Sequence, residues 1–200
     1  MIPARDRHRA FLNRYYGISR HIYDATRKYF LFGRDQALRE IADDLRWTRL
    51  LEIGPGTGRN LTRLHRLRPE AELGGVEASD AMLGHARKRC PYARLQQGFA
   101  EDAPLATILS DRPDRILFSY CLTMVEERDK ALAHARESLA PGGEVVVVDF
   151  ADFEGIPKRI AAALRTYLSA FHVRPLDAAA LSSAKSVRFG PMHYFVVARF

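Results

Sequence analysis

The nine residues from 50 to 58, Leu-Leu-Glu-Ile-Gly-Pro-Gly-Thr-Gly, constrain this chain more than any other segment. A short apolar strand runs into an acid, and glycines then stand at every second position. Glycine allows a tight turn and a close approach of backbone N–H groups to a ligand. The spacing is not the Gly-x-Gly-x-x-Gly of dinucleotide sites, because Arg59 occupies the place of the third glycine. The stretch predicts a strand–turn–helix binding site and argues against an oxidoreductase.

Predicted strands and helices alternate downstream of that turn, which indicates a parallel sheet covered on both faces. The apolar patterns place strands at 50–53, 73–77, 93–97, 115–119 and 145–150, and helices at 35–45, 58–67, 81–89, 127–139 and 160–171. Residues 185–189 and 193–200 read as a closing hairpin around Gly190 and Pro191. An apolar stripe with steps of three and four predicts a further helix over residues 8–32.

The Glu-x-Gly-x-Gly-x-Gly pattern of residues 52–58 resembles the first motif of class I S-adenosylmethionine (SAM) dependent methyltransferases. The resemblance covers residues 35–200 and implies an α/β, Rossmann-like fold: a seven-stranded, mostly parallel sheet with a C-terminal antiparallel hairpin and an N-terminal helical lid. It divides the chain into a helical lid or membrane-facing segment, 1–46, and a SAM-binding domain, 47–200. It also implies SAM as methyl donor, S-adenosyl-L-homocysteine as product, and no metal.

Glu77 is the expected ribose ligand. It ends the second strand 23 residues after Gly54, and an acid there can accept both hydroxyl protons of an adenosine ribose. The resemblance places Glu52 near the methionine amine of SAM. The cofactor-binding set expected on these grounds is Glu52, Gly54, Gly56, Gly58, Glu77, Ala78, Met82, Ala100, Glu101 and Ser119.

Residues 98–104 look like the adenine-binding turn of the same family. Phe99 or Met82 would pack on the adenine ring there, and Glu101 or Asp102 would accept from its amine. After the fourth strand, residues 119–122 are expected to face the sulfonium and the methyl acceptor.

The N-terminal helix carries the clue to the acceptor. Tyr16, Arg20, Tyr23 and Arg27 share one face, and tyrosine rings suit a methylated ammonium while arginines suit a carboxylate or phosphate. Residues 19–35 look like the N-terminal signature of bacterial betaine-lipid N-methyltransferases, and residues 168–175 are similar to another segment of that family. The resemblance implies trimethylation of the amine of diacylglyceryl-homoserine.

An ammonium must lose a proton before it can attack, and a tyrosine or neutral histidine can assist. The catalytic candidates are Tyr16, Tyr23 and Tyr120, with His21 and His172 as further proton acceptors. The substrate candidates are Arg20, Arg27, Tyr29 and His172, and Arg174 joins the two arginines as a carboxylate ligand.

Charge and composition suggest where such an enzyme works. The net charge is +7, and residues 1–49 hold 11 Lys/Arg against 6 Asp/Glu. A basic leading segment suggests a phospholipid surface, nucleic acid or an acidic substrate as partner, or a solvated surface without one. With the family resemblance, the expectation is an anionic membrane surface, reached peripherally from the cytoplasm. The two cysteines lack metal-ligand spacing, and no signal peptide or membrane span is expected.

Several readings stay open at this stage. The expected partners are a lipid headgroup, an anionic bilayer and the enzyme that makes diacylglyceryl-homoserine. The alternatives are a phosphatidylethanolamine N-methyltransferase, an RNA or small-molecule methyltransferase, and a SAM-binding module without turnover. Nucleic acid is not favoured, because residues 119–122 read Ser-Tyr-Cys-Leu rather than the Asn/Asp-Pro-Pro-aromatic motif of enzymes that methylate nucleobase amines.

Overall fold

The computed structural model describes residues 31–200, so the predicted helix over 8–32 lies almost wholly outside the described part. The elements within these residues alternate as the sequence predicts. They are α1 Arg34–Asp43, β1 Arg49–Ile53, α2 Arg59–Leu67, β2 Glu72–Glu77, α3 Asp80–Arg89, β3 Arg94–Gln97, β4 Arg115–Ser119, α4 Arg128–Ser138, β5 Glu144–Phe150, α5 Lys158–Ser169, β6 Ser186–Phe189 and β7 Phe195–Arg199.

The seven strands form one sheet in the order β3-β2-β1-β4-β5-β7-β6. The first five strands along the chain run parallel, and β7 is antiparallel to both of its neighbours, β5 and β6. This confirms the predicted fold class. The chain winds outward in opposite directions from β1 and β4, and the carboxyl ends of strands at such a switch point form the usual binding crevice.

Strand β5 shows why both faces of the sheet are covered. Val145 and Val147 belong to one apolar core, whereas Val146 and Val148 belong to the core on the opposite face. Side chains alternate across a strand, so an unbroken valine run must be buried on both sides.

Helix α1 is packed on the domain. Ala37, Leu38 and Ile41 lie in the same core as β1 and β5, and Trp47 Nε1 donates to the Ile41 carbonyl oxygen at 2.7 Å. This core therefore includes part of the segment placed N-terminal to residue 47, and the proposed division of the chain there stays a prediction.

Within residues 31–200 no helix has both the length and the apolar character needed to cross a bilayer.

Candidate functional site

A cavity of about 580 Å³ opens at the carboxyl ends of β1, β2 and β4. Its described walls come from the glycine turn after β1, the ends of β2 and β4, and the loops after β3 and β4. This is the crevice in which an open α/β sheet binds its ligand. It is also large enough for a nucleotide-sized molecule.

The glycine turn forms one wall. Gly54, Gly56 and Gly58 have φ angles of 66°, 57° and 80°, in the left-handed region that side chains rarely adopt. Gly54 and Gly56 line the cavity, whereas Gly58 is not part of its described lining. A Cβ on Gly58 would lie 2.7 Å from Cys90 Sγ, so this glycine lets α3 pack against the turn.

Glu77 faces the turn from the end of β2. Its Oε2 accepts from the Gly56 N–H and its Oε1 from the Ser79 N–H, each at 2.9 Å. The two backbone donors fix the direction of the buried carboxylate. An ionised carboxylate has about four acceptor positions, so this geometry suits the adjacent hydroxyls of a ribose.

Glu52 lies outside the described cavity lining. It is buried, and its Oε1 accepts from Asn60 Nδ2 at 2.7 Å. Asn60 itself lines the cavity, so Glu52 sits one residue behind the wall and orients the amide that forms it.

The predicted adenine end lies beside the Glu77 carboxylate. Ala78, Met82, Phe99, Ala100 and Glu101 all line the cavity. The Ser79 hydroxyl caps α3 by accepting from the Met82 N–H, which positions Met82 at this end. Asp102 is outside the described lining.

Ser119 and Tyr120 form the wall after β4. Ser119 Oγ is buried and has no hydrogen-bond partner within residues 31–200, so this part of the cavity holds an unsatisfied polar atom. Tyr120 has a φ of 53°, and its hydroxyl donates to the Phe32 carbonyl oxygen at 2.5 Å. The proposed role of Tyr120 in proton transfer stays a prediction.

Asp149 holds this wall in place and was missed by the sequence analysis, because it follows an apolar run. The residue is fully buried at the end of β5. Its carboxylate accepts from the Thr123 hydroxyl at 2.7 Å and from the Thr123 N–H at 3.1 Å. Thr123 lies in the 3-10 turn Leu122–Met124, so Asp149 fixes the loop that carries Cys121 and Met124 into the cavity.

Charged residues at the acceptor end were also missed. The cavity lining includes Arg34, from the first turn of α1, and Glu126 and Glu127, from the loop before α4. Arg34 is buried, and its Nε lies 3.3 Å from Asp35 Oδ1. Arg89 lines the opposite side, where its Nη1 donates to Thr57 Oγ1 at 2.8 Å. Arg34 lies within the 19–35 signature but was not singled out, and no motif marks Glu126, Glu127 or Arg89. Only the packing of distant elements brings these residues together.

The remaining candidates fall elsewhere. Tyr16, Arg20, His21, Tyr23, Arg27 and Tyr29 lie outside the described residues. His172 follows α5, is exposed, and is not among the residues that line the cavity. Arg174 donates to the carbonyl oxygens of Val125 and Glu126 at 3.2 and 2.9 Å, so it supports the loop after β4 from outside.

One group of residues outside the cavity has metal-ligand chemistry. Ligand atoms of Asp152, Glu154 and His193 lie within 4.8 Å of one another. His193 Nδ1 is 3.3 Å from Asp152 Oδ1 and 3.8 Å from Glu154 Oε2. These contacts connect the β6–β7 turn to the segment after β5, and a structural role accounts for them.

Comparison with known proteins shows what the site is similar to. Residues 50–143 match the model of a methyltransferase domain family. The matched segment is just under half of the chain and is similar to methyltransferase domains. It contains the glycine turn, Glu77 and the loop after β4.

Two curated relatives extend the match beyond this methyltransferase domain. The chain is 31% identical over 133 residues to a demethylmenaquinone methyltransferase of Thermus thermophilus, with 64% of this chain and 60% of that protein covered. It is 37% identical over 133 residues to a dTDP-3-amino-3,4,6-trideoxy-α-D-glucopyranose N,N-dimethyltransferase of Streptomyces venezuelae, with 63% and 54% covered. The chain thus spans little more than half the length of these relatives. Neither name concerns betaine lipids, and that resemblance stays a prediction.

Solved structures agree with the fold. A SAM-dependent methyltransferase of Thermotoga maritima, described as a possible histamine N-methyltransferase, superposes with a TM-score of 0.66 at 22% identity, covering 92% of this chain and 98% of that one. SAM-bound CalS10, an amino pentose methyltransferase of Micromonospora echinaspora, gives a TM-score of 0.53 at 27% identity, covering 63% and 55%.

The residues present fit SAM. The left-handed turn leaves room for a ligand to approach the backbone, two backbone N–H groups hold the Glu77 carboxylate at the cavity wall, and Ser119 supplies an unsatisfied polar atom. Glu77 would hold the ribose, and the walls around Met82 and Phe99 would hold the adenine. The backbone of Gly54 and Gly56 would hold the methionine part.

Proposed function

We propose that this protein transfers methyl groups from SAM to the amine of a lipid headgroup, with diacylglyceryl-homoserine as acceptor and the trimethylated betaine lipid as product. One observation carries the choice of headgroup. The cavity with the glycine turn also holds a buried cation, Arg34, and two acids, Glu126 and Glu127. A homoserine headgroup bears an ammonium and a carboxylate, so it complements both signs of charge.

Methylation of nitrogen is supported by the 37% identity to a relative named as an N,N-dimethyltransferase. Repeated methylation requires that an amine which already carries methyl groups can bind again at the acceptor end of the cavity. The acceptor end contains Tyr120, Cys121, Met124 and Val125, which are apolar or polarisable side chains. Such a wall tolerates the methyl groups, while the acids at its rim offset the cationic charge.

When bound, SAM supplies a methyl group on a positively charged sulfur, from which an amine lone pair can take it. The protein contributes alignment and exclusion of water. Glu77 and the glycine turn fix the donor side, and the Asp149–Thr123 contacts fix the loop on the acceptor side. Glu126 or Glu127 can accept the proton that the acceptor's ammonium group must release before its nitrogen, as a neutral amine, can attack.

Lipid mass spectrometry tests this proposal. The chain would be expressed in a host without betaine lipids, with and without the enzyme that makes diacylglyceryl-homoserine. We expect trimethylated betaine lipid only when both are present, and none with Glu77→Gln, because the Gln amide would point a donor at the Gly56 or Ser79 N–H. If methylated phosphatidylethanolamine appears in the strain without the partner enzyme, the acceptor is phosphatidylethanolamine and not diacylglyceryl-homoserine. No lipid change in either strain would contradict a lipid acceptor.

The relative named as a demethylmenaquinone methyltransferase supports a second candidate, methylation of a quinone ring carbon. The same lipid extracts distinguish the two candidates by mass. A C-methylated quinone gains one methyl group, whereas the betaine lipid gains three methyl groups on its headgroup nitrogen. Such a product, together with unmethylated diacylglyceryl-homoserine, would favour the second candidate.

A further inference from the structure

Helix α5 presents an apolar surface to solvent. Ile160 and Tyr167 are 55% and 57% exposed, and the half-buried Leu164 and Phe171 follow the same helical spacing. We call these four residues the α5 stripe. Ala161 and Leu168 fix the helix to the core through the adjacent face. An exposed apolar stripe of this kind marks a surface with a partner.

The charge around the stripe has one sign. Helix α5 contains Lys158, Arg159 and Arg165 and no acidic residue. Lys158 and Arg159 are exposed in its first turn, while Arg165 donates to the Asp152 carbonyl oxygen. The acid that precedes the helix, Glu154, lies 3.8 Å from His193 Nδ1. Apolar side chains flanked by cations are typical of a helix that lies in a membrane interface.

One apolar core connects the stripe to the cavity. Leu164 and Phe171 of the stripe pack against the core that contains Tyr120, and Leu31 and Tyr194 pack against the same core. Tyr167 and Phe171 meet edge to face at 4.9 Å, and Phe32 meets Tyr194 edge to face at 5.4 Å. Phe32 is 56% exposed, and its carbonyl oxygen accepts from Tyr120 in the cavity wall.

We propose that the α5 stripe, together with Phe32, is the surface through which this protein docks on an anionic phospholipid bilayer. The orientation follows from the contacts above: docking there brings the bilayer to the side of the cavity where Leu31 and Tyr120 form the wall. A symmetric contact with a second copy is disfavoured, because it would bring the cations of two α5 helices together. The inference deepens the proposed lipid acceptor and depends on it for its purpose.

Vesicle co-sedimentation of the full chain tests the docking without any turnover. The vesicles would contain phosphatidylcholine alone, or phosphatidylcholine with phosphatidylglycerol. We expect the wild type to bind the anionic vesicles, and the double variant Ile160→Asp/Tyr167→Asp to bind at least about tenfold more weakly, because apolar burial and charge attraction are both reduced. The matched control is Leu45→Asp. Leu45 is 77% exposed but precedes β1, at the amino ends of the parallel strands, whereas α5 follows the carboxyl end of β5, so replacement of Leu45 should leave binding unchanged.

Two further measurements separate the possible failures. SAM affinity of the double variant shows that it is folded, and gel filtration shows whether the stripe joins two copies. Wild-type binding by the double variant, no binding of the wild type to anionic vesicles, or a dimer that the double variant dissociates would each overturn the docking surface. Anionic binding that depends on the stripe, in a protein that methylates no lipid, would refute the proposed acceptor and leave the docking surface standing.

Discussion

Glu77 and Glu52 are both buried acids at the ends of neighbouring parallel strands, yet their surroundings give them different tasks. Two backbone N–H groups hold the Glu77 carboxylate at the cavity wall, and their positions are set by the fold. The partner of Glu52 is the Asn60 side chain, which itself reaches the cavity. The position of an acid relative to the glycine turn therefore decides whether it lines the cavity or supports a residue that does.

Replacing Gly56 by valine should abolish SAM binding while the sheet still forms. Its φ of 57° is strained for a β-branched residue, and its N–H donates to Glu77. Left-handed backbone costs about 1–2 kcal/mol for a residue with a Cβ, so the turn should relax and release the Glu77 carboxylate. Isothermal calorimetry with SAM measures the affinity, and circular dichroism measures the fold.

Gly84→Ala is the control for that variant. Gly84 lies within α3, and a Cβ there would meet nothing within 4 Å. Alanine should leave SAM affinity unchanged and raise the free energy of unfolding by about 0.4–1 kcal/mol. Wild-type SAM affinity in Gly56→Val would contradict the placement of the cofactor.

At the level of elements, the loop after β4 depends on β5. Among the donors to the Asp149 carboxylate are the Thr123 N–H, the Thr123 hydroxyl and the Phe150 N–H. A neighbouring strand thus keeps the acceptor-side loop at a constant distance from the glycine turn.

Asp149→Asn should destabilise the protein by about 1–3 kcal/mol, because an amide NH₂ group would replace one of the accepting oxygens in a buried position. Thr123→Val should cost about 1 kcal/mol, since it removes only the hydroxyl donor. Urea unfolding of the two single variants and the double variant gives their coupling energy. Strictly additive effects would show that the loop is not held by this contact.

The features that could be predicted from the sequence are those with a local signal. Strand–helix alternation predicted the sheet, and the glycine spacing with the acid at the end of β2 predicted the wall around Glu77, because both signals lie within a few residues. Arg34 and Glu126 could not be found this way. Both residues line one cavity only after α1, β1 and β4 have packed, and the local sequence around each residue does not show that they share it.

For the molecule as a whole, the carboxylates of Asp114 and Asp44 stabilise the amino ends of β1 and β4, at the end of the sheet opposite the cavity. Asp114 accepts from the Thr48 and Arg49 N–H groups and from the Arg49 guanidinium. Burial raises the pKa of Asp114, but the hydrogen bonds lower it by more than burial raises it. The net result is a pKa below the ordinary value of 3.8. Hydrogen bonding by Arg46 and by Arg115 likewise holds the pKa of Asp44 well below its usual range.

Stability should therefore fall in acid. A carboxyl whose pKa is lower in the folded state stabilises the fold above its unfolded pKa, near 3.8, and this contribution is lost as the pH falls through the folded pKa. We expect the free energy of unfolding in urea to drop between about pH 5 and pH 3, and to drop less in Asp114→Asn. Equal drops in the two proteins would contradict this account.

The position of β7 in the sheet also determines when the C-terminal strands can pair during synthesis. β7 lies between β5 and β6, and Val146 pairs with Arg199. The ribosome delivers β6 before β7, its neighbour in the sheet, exists, and the edge of β5 stays unpaired until the same strand is made. The growing chain therefore carries an unpaired, valine-rich edge until residues 195–199 emerge, and during that interval it is exposed to pairing with other nascent chains.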